Sequence, residues 1–217
     1  MKYSPPVDQG LELLYEDKHL LVLNKPAGLL SVPGRGADKL DSLITRVQKE
    51  YDDALIVHRL DMATSGILVL ARGSKSHRAL SMQFQHRLVK KEYVAVVHGE
   101  LTATGGMIDL PLLTDWPNRP KQMVDFVHGK ASQTRYRLLQ KDSVRKRTRL
   151  SLMPTTGRTH QLRVHCQYIG HAIVGDRLYA PTQLAQQEER LLLHAQSLCF
   201  THPETKEEMA FEREAEF

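Results

Sequence analysis

Val57-His58-Arg59-Leu60-Asp61-Met62-Ala63-Thr64-Ser65-Gly66 runs straight into the apolar stretch Ile67-Leu68-Val69-Leu70. This order predicts a turn-rich loop feeding a buried strand. Thr64 and Ser65 can bond the backbone through their hydroxyls, and Gly66 gives the turn a residue without a Cβ. A carboxylate held against a buried strand is well placed to be a positioned catalytic group, and His58 and Arg59 lie close by in sequence. Taken alone, the segment more simply fits an Asp61 that only bonds its own loop.

The second dense stretch is Thr156-Gly157-Arg158-Thr159-His160-Gln161-Leu162-Arg163-Val164-His165. Gly157 precedes a helix expected over 159–169, with Thr159 as its cap and Gly170 as its stop. Free N–H groups at such a start favour an anion such as phosphate. His160 and Arg163, three apart, can point the same way. A guanidinium facing a cleft could pair with a carboxylate such as Asp61 and keep it ionised. His160, His165 and His171 form no recognised zinc spacing, so no metal site is expected.

Outward from these stretches, strand-like runs recur at 11–15, 20–24, 67–71, 92–97, 134–140, 149–153 and 192–200, with Glu16-Asp17-Lys18 as a hairpin turn. Helical spacing marks 41–51, with Leu43, Ile44, Val47 and Tyr51 on one stripe behind Asp41 or Ser42. It also marks 74–85, capped by Ser74, with Ala79, Leu80, Met82 and Phe84 partly buried. Strands outnumber helices and do not alternate with them, which predicts an α+β domain with a mostly antiparallel sheet. Residues 27–39 and 110–130 are expected to be long irregular loops.

Lys and Arg exceed Asp and Glu by 30 to 25, but the charge is unevenly spread. Between Trp116 and Gly170 there are twelve basic residues against Asp125 and Asp142, a local +10 within a chain of net +5. The tail (Glu204, Glu207, Glu208, Glu212, Glu214, Glu216) is acidic. A basic half suits a nucleic-acid binder, although a solvated charged face has the same composition. The two cysteines, Cys166 and Cys199, lie far apart. That argues against a disulfide scaffold, a zinc ribbon or a redox pair. With no signal peptide and no apolar run of membrane-spanning length, the expectation is a cytoplasmic protein without a membrane partner.

Five stretches together resemble the RluA family of pseudouridine synthases: NKPAGLLSVPG (24–34), HRLDMATSG (58–66), KKEYVAVV (90–97), GRTHQLRVH (157–165) and RLLLHA (190–195). They span nearly the whole chain, and HRLD followed by TSG is highly specific. The resemblance implies the pseudouridine synthase fold, a mixed, mostly antiparallel sheet crossed by a central active-site cleft. Many members carry an S4-type RNA-binding domain first. With the Lys-Pro motif beginning at Asn24, none is expected here, and residues 1–217 are expected to form a single catalytic domain that can fall into two lobes. With its DWPNRPKQ segment (115–122), the chain is most similar to the bacterial dual-specificity members, which act on a 23S rRNA hairpin and on tRNA anticodon stem-loops. A monomer is expected.

The resemblance also assigns roles. Asp61 is the essential carboxylate, Arg163 the arginine that pairs with it, and Tyr93 the tyrosine that stacks on the target base and is a catalytic candidate for late proton removal from it. Arg59 enters the RNA stack in place of the flipped base, and Leu192 or Leu193 forms the apolar side of the pocket. Arg158 and His160, in the second dense stretch, are further candidate RNA-binding residues. The reaction breaks the bond from ribose to base nitrogen, turns the base, and rejoins ribose to a base carbon. No electrons are gained or lost, so no cofactor is expected. The competing reading is a non-catalytic RNA-binding protein of the same fold. A glycosidase is disfavoured because no second acid stands beside Asp61 in these segments. An aspartic protease is disfavoured because Met-Ala, not Thr-Gly or Ser-Gly, follows Asp61.

Overall fold

A computed structural model of the chain describes residues 3–217. In chain order the strands are β1 (Leu13–Glu16), β2 (Leu20–Lys25), β3 (Ala54–Ile56), β4 (Ser65–Arg72), β5 (Lys90–His98), β6 (Gly105–Asp109), β7 (Leu112–Thr114), β8 (Gln122–Val124), β9 (Gln133–Asp142), β10 (Arg147–Pro154), β11 (Leu193–Thr201) and β12 (Glu208–Glu212). The helices are α1 (Leu43–Val47), α2 (Gly73–Gln85), α3 (Gln161–Tyr168) and α4 (Thr182–Ala185). The chain is α+β and divides into two compact units. One takes the chain up to Lys90 and again Ala195–Glu216; the other takes Lys91–His194 with Phe217.

In the first unit the strand order is β1-β2-β4-β11, with β3 on β4 and β12 on β11. β2 and β4 run antiparallel from Leu20 opposite Ala71 to Lys25 opposite Gly66. Both read as near-continuous Leu, Ile and Val because both faces are covered. On one face Leu20, Val22, Ile67 and Val69 pack with Leu80 of α2 and with Leu198 and Phe200 of β11. Each such side chain contributes about 1.5–3 kcal/mol by leaving water.

The expected 16–18 turn is present, and Asp17 makes it. Its Oδ1 accepts the N–H groups of His19 (2.7 Å) and Leu20 (2.8 Å), and its Oδ2 faces Nε2 of His202 at 2.8 Å. Burial pushes the Asp17 pKa up, but the bonds from His19, His202 and Leu20 outweigh it and hold the carboxyl below its ordinary range. α1 is shorter than expected. Ser42 and Thr45 cap it reciprocally, and after Val47 the chain continues in turns rather than helix. α2 starts one residue before Ser74, which does not cap it, because the Arg72 guanidinium reaches Asp53 (3.1 Å) and the Asp17 carbonyl (3.0 Å) from the N-cap position. Met82, expected to be partly buried, is exposed, while Leu80 and Phe84 make the contacts with the core.

In the second unit β5, β10, β9 and β6 lie side by side in that order, each neighbouring pair antiparallel, with Tyr93 opposite Leu152. α3 is buried along most of its length and stops at Gly170, whose φ is +85°. Two differences from expectation have simple causes. Residues 110–130 are not wholly irregular but carry the β7–β8 ribbon, three paired positions too short for a pattern to declare. β12 was hidden by acidic composition. Met209 and Phe211 alternate with Glu208, Ala210 and Glu212 and pack on the core beside Tyr15.

Candidate active site

The loop bearing Asp61 is fixed largely through its backbone. The Ser31 hydroxyl accepts the Leu60 N–H (3.1 Å) and donates to the Leu60 carbonyl (2.8 Å), closing both polar groups of a buried residue. One residue past Asp61, the Met62 carbonyl accepts the Gly28 N–H (2.8 Å) and an N–H of Lys25 Nζ (3.2 Å). That ammonium also donates to the carbonyls of Leu29 (2.7 Å) and Pro26 (2.9 Å), and Lys25 is 0% exposed. A buried cation is tolerable only when its donors are satisfied. Here carbonyl dipoles satisfy them, and the Lys-Pro-Ala-Gly turn wraps around its own lysine.

Thr64 donates its N–H to the Asp61 carbonyl at 3.0 Å. His58 Nε2 accepts the Val69 N–H (3.1 Å), which assigns the ring proton to Nδ1, and the ring stacks on Phe84 at 4.3 Å. Gly66, at φ +118°, is required: a Cβ there would lie 2.3 Å from the Ala195 carbonyl oxygen. Asp61 therefore projects half-buried, and Arg59 exposed, from a loop pinned on both sides.

In the second unit the arginine is held by side chains. Arg163 is buried and donates from Nε (2.8 Å) and Nη2 (2.7 Å) to the two oxygens of the buried Asp176. This fork fixes the plane of the guanidinium. Asp176 Oδ1 also accepts the N–H groups of Leu178 (2.9 Å) and Tyr179 (3.2 Å), which turns the chain so that the Tyr179 ring comes under Arg163, 5.1 Å from guanidinium to centroid. The Tyr179 hydroxyl accepts the Gln122 N–H (2.8 Å) and lies 2.6 Å from Nδ1 of His160. His160 and Arg163 thus meet on one tyrosine.

Thr159 does not cap α3. The chain enters the helix through His160 in the left-handed region, φ +54°, and no side chain caps it. The buried Gln161 amide organises this entry and uses all four of its bonding positions. Its Oε1 accepts the Thr156 hydroxyl (2.7 Å) and the Arg158 N–H (3.0 Å); its Nε2 donates to the Gln133 carbonyl (2.9 Å) and the Thr134 hydroxyl (3.0 Å). The Thr134 hydroxyl bonds Nδ1 of His165 (2.9 Å), whose Nε2 donates to the Leu110 carbonyl (3.1 Å). Burial pushes the His165 pKa down, opposed by that Leu110 bond.

Of the other expected site residues, Tyr93 is half-buried on β5 and Leu192 and Leu193 are buried before and at the start of β11. Leu192 bonds Val174 through its N–H (3.0 Å) and Val96 through its carbonyl (3.1 Å). Arg158 is exposed, with Nε 3.4 Å from the Ala131 carbonyl. Sequence reasoning missed Lys25, Ser31, Gln161, Asp176 and Tyr179 as supporting residues. The signal for Asp176 was available: an acid closing the apolar run Ala172-Ile173-Val174-Gly175 has to find a partner. Among the described residues no helix is long and apolar enough to cross a membrane, and no three His, Cys, Asp or Glu are grouped to hold a metal ion.

Residues 19–168 match the family model of RNA pseudouridylate synthases. The chain is 52% identical to the dual-specificity RNA pseudouridine synthase RluA of Yersinia pestis over 94% of its own length and 99% of that protein. It is 48% identical to the enzyme of the same name from Escherichia coli K12 over 99% and 98%. The solved structure of human RNA pseudouridylate synthase domain containing 1 superposes with a TM-score of 0.81 at 26% identity, covering 98% of this chain and 86% of that one. That of human domain containing 4 gives 0.74 at 22% identity, which speaks to the fold alone. With Asp61 and Arg163 standing in the two segments that the family resemblance singled out, the chain belongs to the RNA pseudouridylate synthase family, the isomerases that turn uridine in RNA into pseudouridine.

Proposed function

We propose that the chain acts as a monomer and a single catalytic domain in the cytoplasm, isomerising uridine in both a 23S rRNA hairpin and a tRNA anticodon stem-loop. The observation that carries this reading is similarity along the full length of relatives named as dual-specificity enzymes. The basic stretch 116–170 supports it, since exposed Arg135, Arg137, Lys141, Arg145 and Arg158 offer contacts to an RNA backbone. Two RNAs that fold their short loops alike can both fit such a surface, because recognition of a loop needs a common shape more than a long shared sequence.

In this reading Asp61 is the reacting carboxylate and Arg163 keeps it ionised and oriented. The Asp176 fork supports that role by removing the rotational freedom of Arg163. Tyr93 stacks on the target base, with Leu192 and Leu193 on the apolar side. The uridine has to leave its stack to react, at a cost of a few kcal/mol. Arg59, exposed two residues before Asp61, fills the vacated place with a planar cation. Arg158 and His160 contact RNA at the start of α3.

The test is to incubate the purified protein separately with naked transcripts of both RNAs and map pseudouridine chemically. Both are expected to be modified at one position each. Modification of only one refutes the dual substrate range; modification of neither refutes the proposed substrates altogether.

A further inference from the structure

The chain has a single tryptophan, Trp116, and it is 63% exposed. So large an apolar ring in water is informative when the backbone around it is fixed. The loop 115–121 is closed on itself. Asp115 donates its N–H to the Lys121 carbonyl (3.0 Å), Lys121 to Asn118 (3.1 Å) and Asn118 to Asp115 (3.1 Å). The Asp115 carboxylate accepts the Asn118 amide at 3.0 and 3.1 Å, so the one acid here is occupied in holding the loop. The Arg119 guanidinium lies over the indole, 4.5 Å from its centroid, and Lys121 is two residues on. At the base of the loop, Gln122 donates its N–H to the Tyr179 hydroxyl, the same oxygen that contacts His160.

We propose that Trp116, backed by Arg119, is a stacking platform for an unpaired nucleotide of the RNA substrate. This rests on the reading of the chain as an enzyme acting on RNA stem-loops. A nucleotide combines a flat π face with a phosphate. The indole takes the base, while Arg119 and Lys121 supply cations for the backbone. A protein partner would call for a continuous apolar patch. Here the ring stands among charges, and the exposed Phe126 and Val127 lie beyond the far end of the β7–β8 ribbon. The tie from Gln122 to Tyr179 places this platform in fixed register with the start of α3, so a base held on it would position the rest of the loop.

Because Trp116 is the only tryptophan, its emission reports the site directly. The full-length protein is titrated with a stem-loop transcript and with the same stem closed as a blunt duplex, binding being followed independently by anisotropy of a label on the RNA. The stem-loop should quench Trp116 and the duplex should bind without quenching. Trp116→Ala should weaken stem-loop binding about 5- to 150-fold, the range for loss of one base–aromatic stack. The loss should appear in KM more than in kcat, and Trp116→Phe should recover most of it. Binding with unchanged emission, or equal losses on stem-loop and duplex, overturns the proposal. Pseudouridine formed in the stem-loop while Trp116 stays silent sinks the platform and leaves the enzymatic reading intact. Quenching without any pseudouridine does the reverse.

Discussion

The Asp61 loop and the start of α3 each hold one of the proposed site side chains still, by different means. Around Asp61 the groups held are the loop's own backbone: Leu60 by the Ser31 hydroxyl, Met62 by the Gly28 N–H and the Lys25 ammonium, and the Asp61 carbonyl by the Thr64 N–H. Around Arg163 the anchors are side chains: a carboxylate fork from Asp176, a tyrosine ring under the guanidinium, and the fully bonded Gln161 amide. A loop pinned by its backbone tolerates change in the side chain it displays. A helix entry pinned by side chains fails when one of them is changed.

The comparison predicts first that Asp61→Asn loses turnover by about 10⁴-fold, the scale seen when a reacting group is removed. RNA affinity and the thermal midpoint should stay near wild type. A large drop in stability would show that the Asp61 side chain holds its own loop and would break the contrast. Asp176→Ala should, unlike Asp61→Asn, strike stability as well as turnover. It strips the buried Arg163 of its fork and should cost about 3–5 kcal/mol of stability, measured by urea unfolding. A cost near zero would mean that the fork is not what fixes the helix start.

Lys25→Met fills the same space without the donors, leaving the carbonyls of Pro26, Leu29 and Met62 short of a partner. The expected cost is about 1–3 kcal/mol, with turnover reduced through a loosened Asp61 loop. Unchanged turnover in a destabilised variant would separate loop position from catalysis. Arg59 is exposed, so Arg59→Ala should leave stability alone. It should cost roughly tenfold more activity on a folded stem-loop than on an RNA whose uridine is already unstacked. Equal losses would favour plain phosphate binding.

The smallest effect concerns pH. Burial depresses the His165 pKa in the folded chain. Below the unfolded value of about 6.5, the unfolded chain takes up a proton that the folded chain resists. Stability present above that pH is therefore lost as the pH falls through the folded value. The slope due to His165 should not exceed about 1.4 kcal/mol per pH unit. Thermal midpoints of the wild type and His165→Asn across this range should show it, and parallel curves would remove His165 as the source.

Local order was legible wherever period and composition agreed. The runs at 20–24 and 67–71 could only be buried strands, and Gly170 marked the end of α3 because a left-handed residue has to follow a helix that stops there. The family motif segments that contain Asp61, Tyr93 and Arg163 were legible for the same reason: each is a fixed order of residue types along a short stretch. The partners were not. Lys25 reads as a surface lysine until the carbonyls of Leu29 and Met62 close around it. Thr159 reads as a helix cap until Gln161 draws the entry into a left-handed turn through bonds to Gln133 and Thr134, 28 and 27 residues away. Asp176 and Tyr179 lie 13 and 16 positions beyond Arg163 and meet it only because the chain turns back after α3. Sequence fixes what each residue can bond, since that is local chemistry. Which bonds are made depends on contacts between distant positions, and only the folded chain decides them.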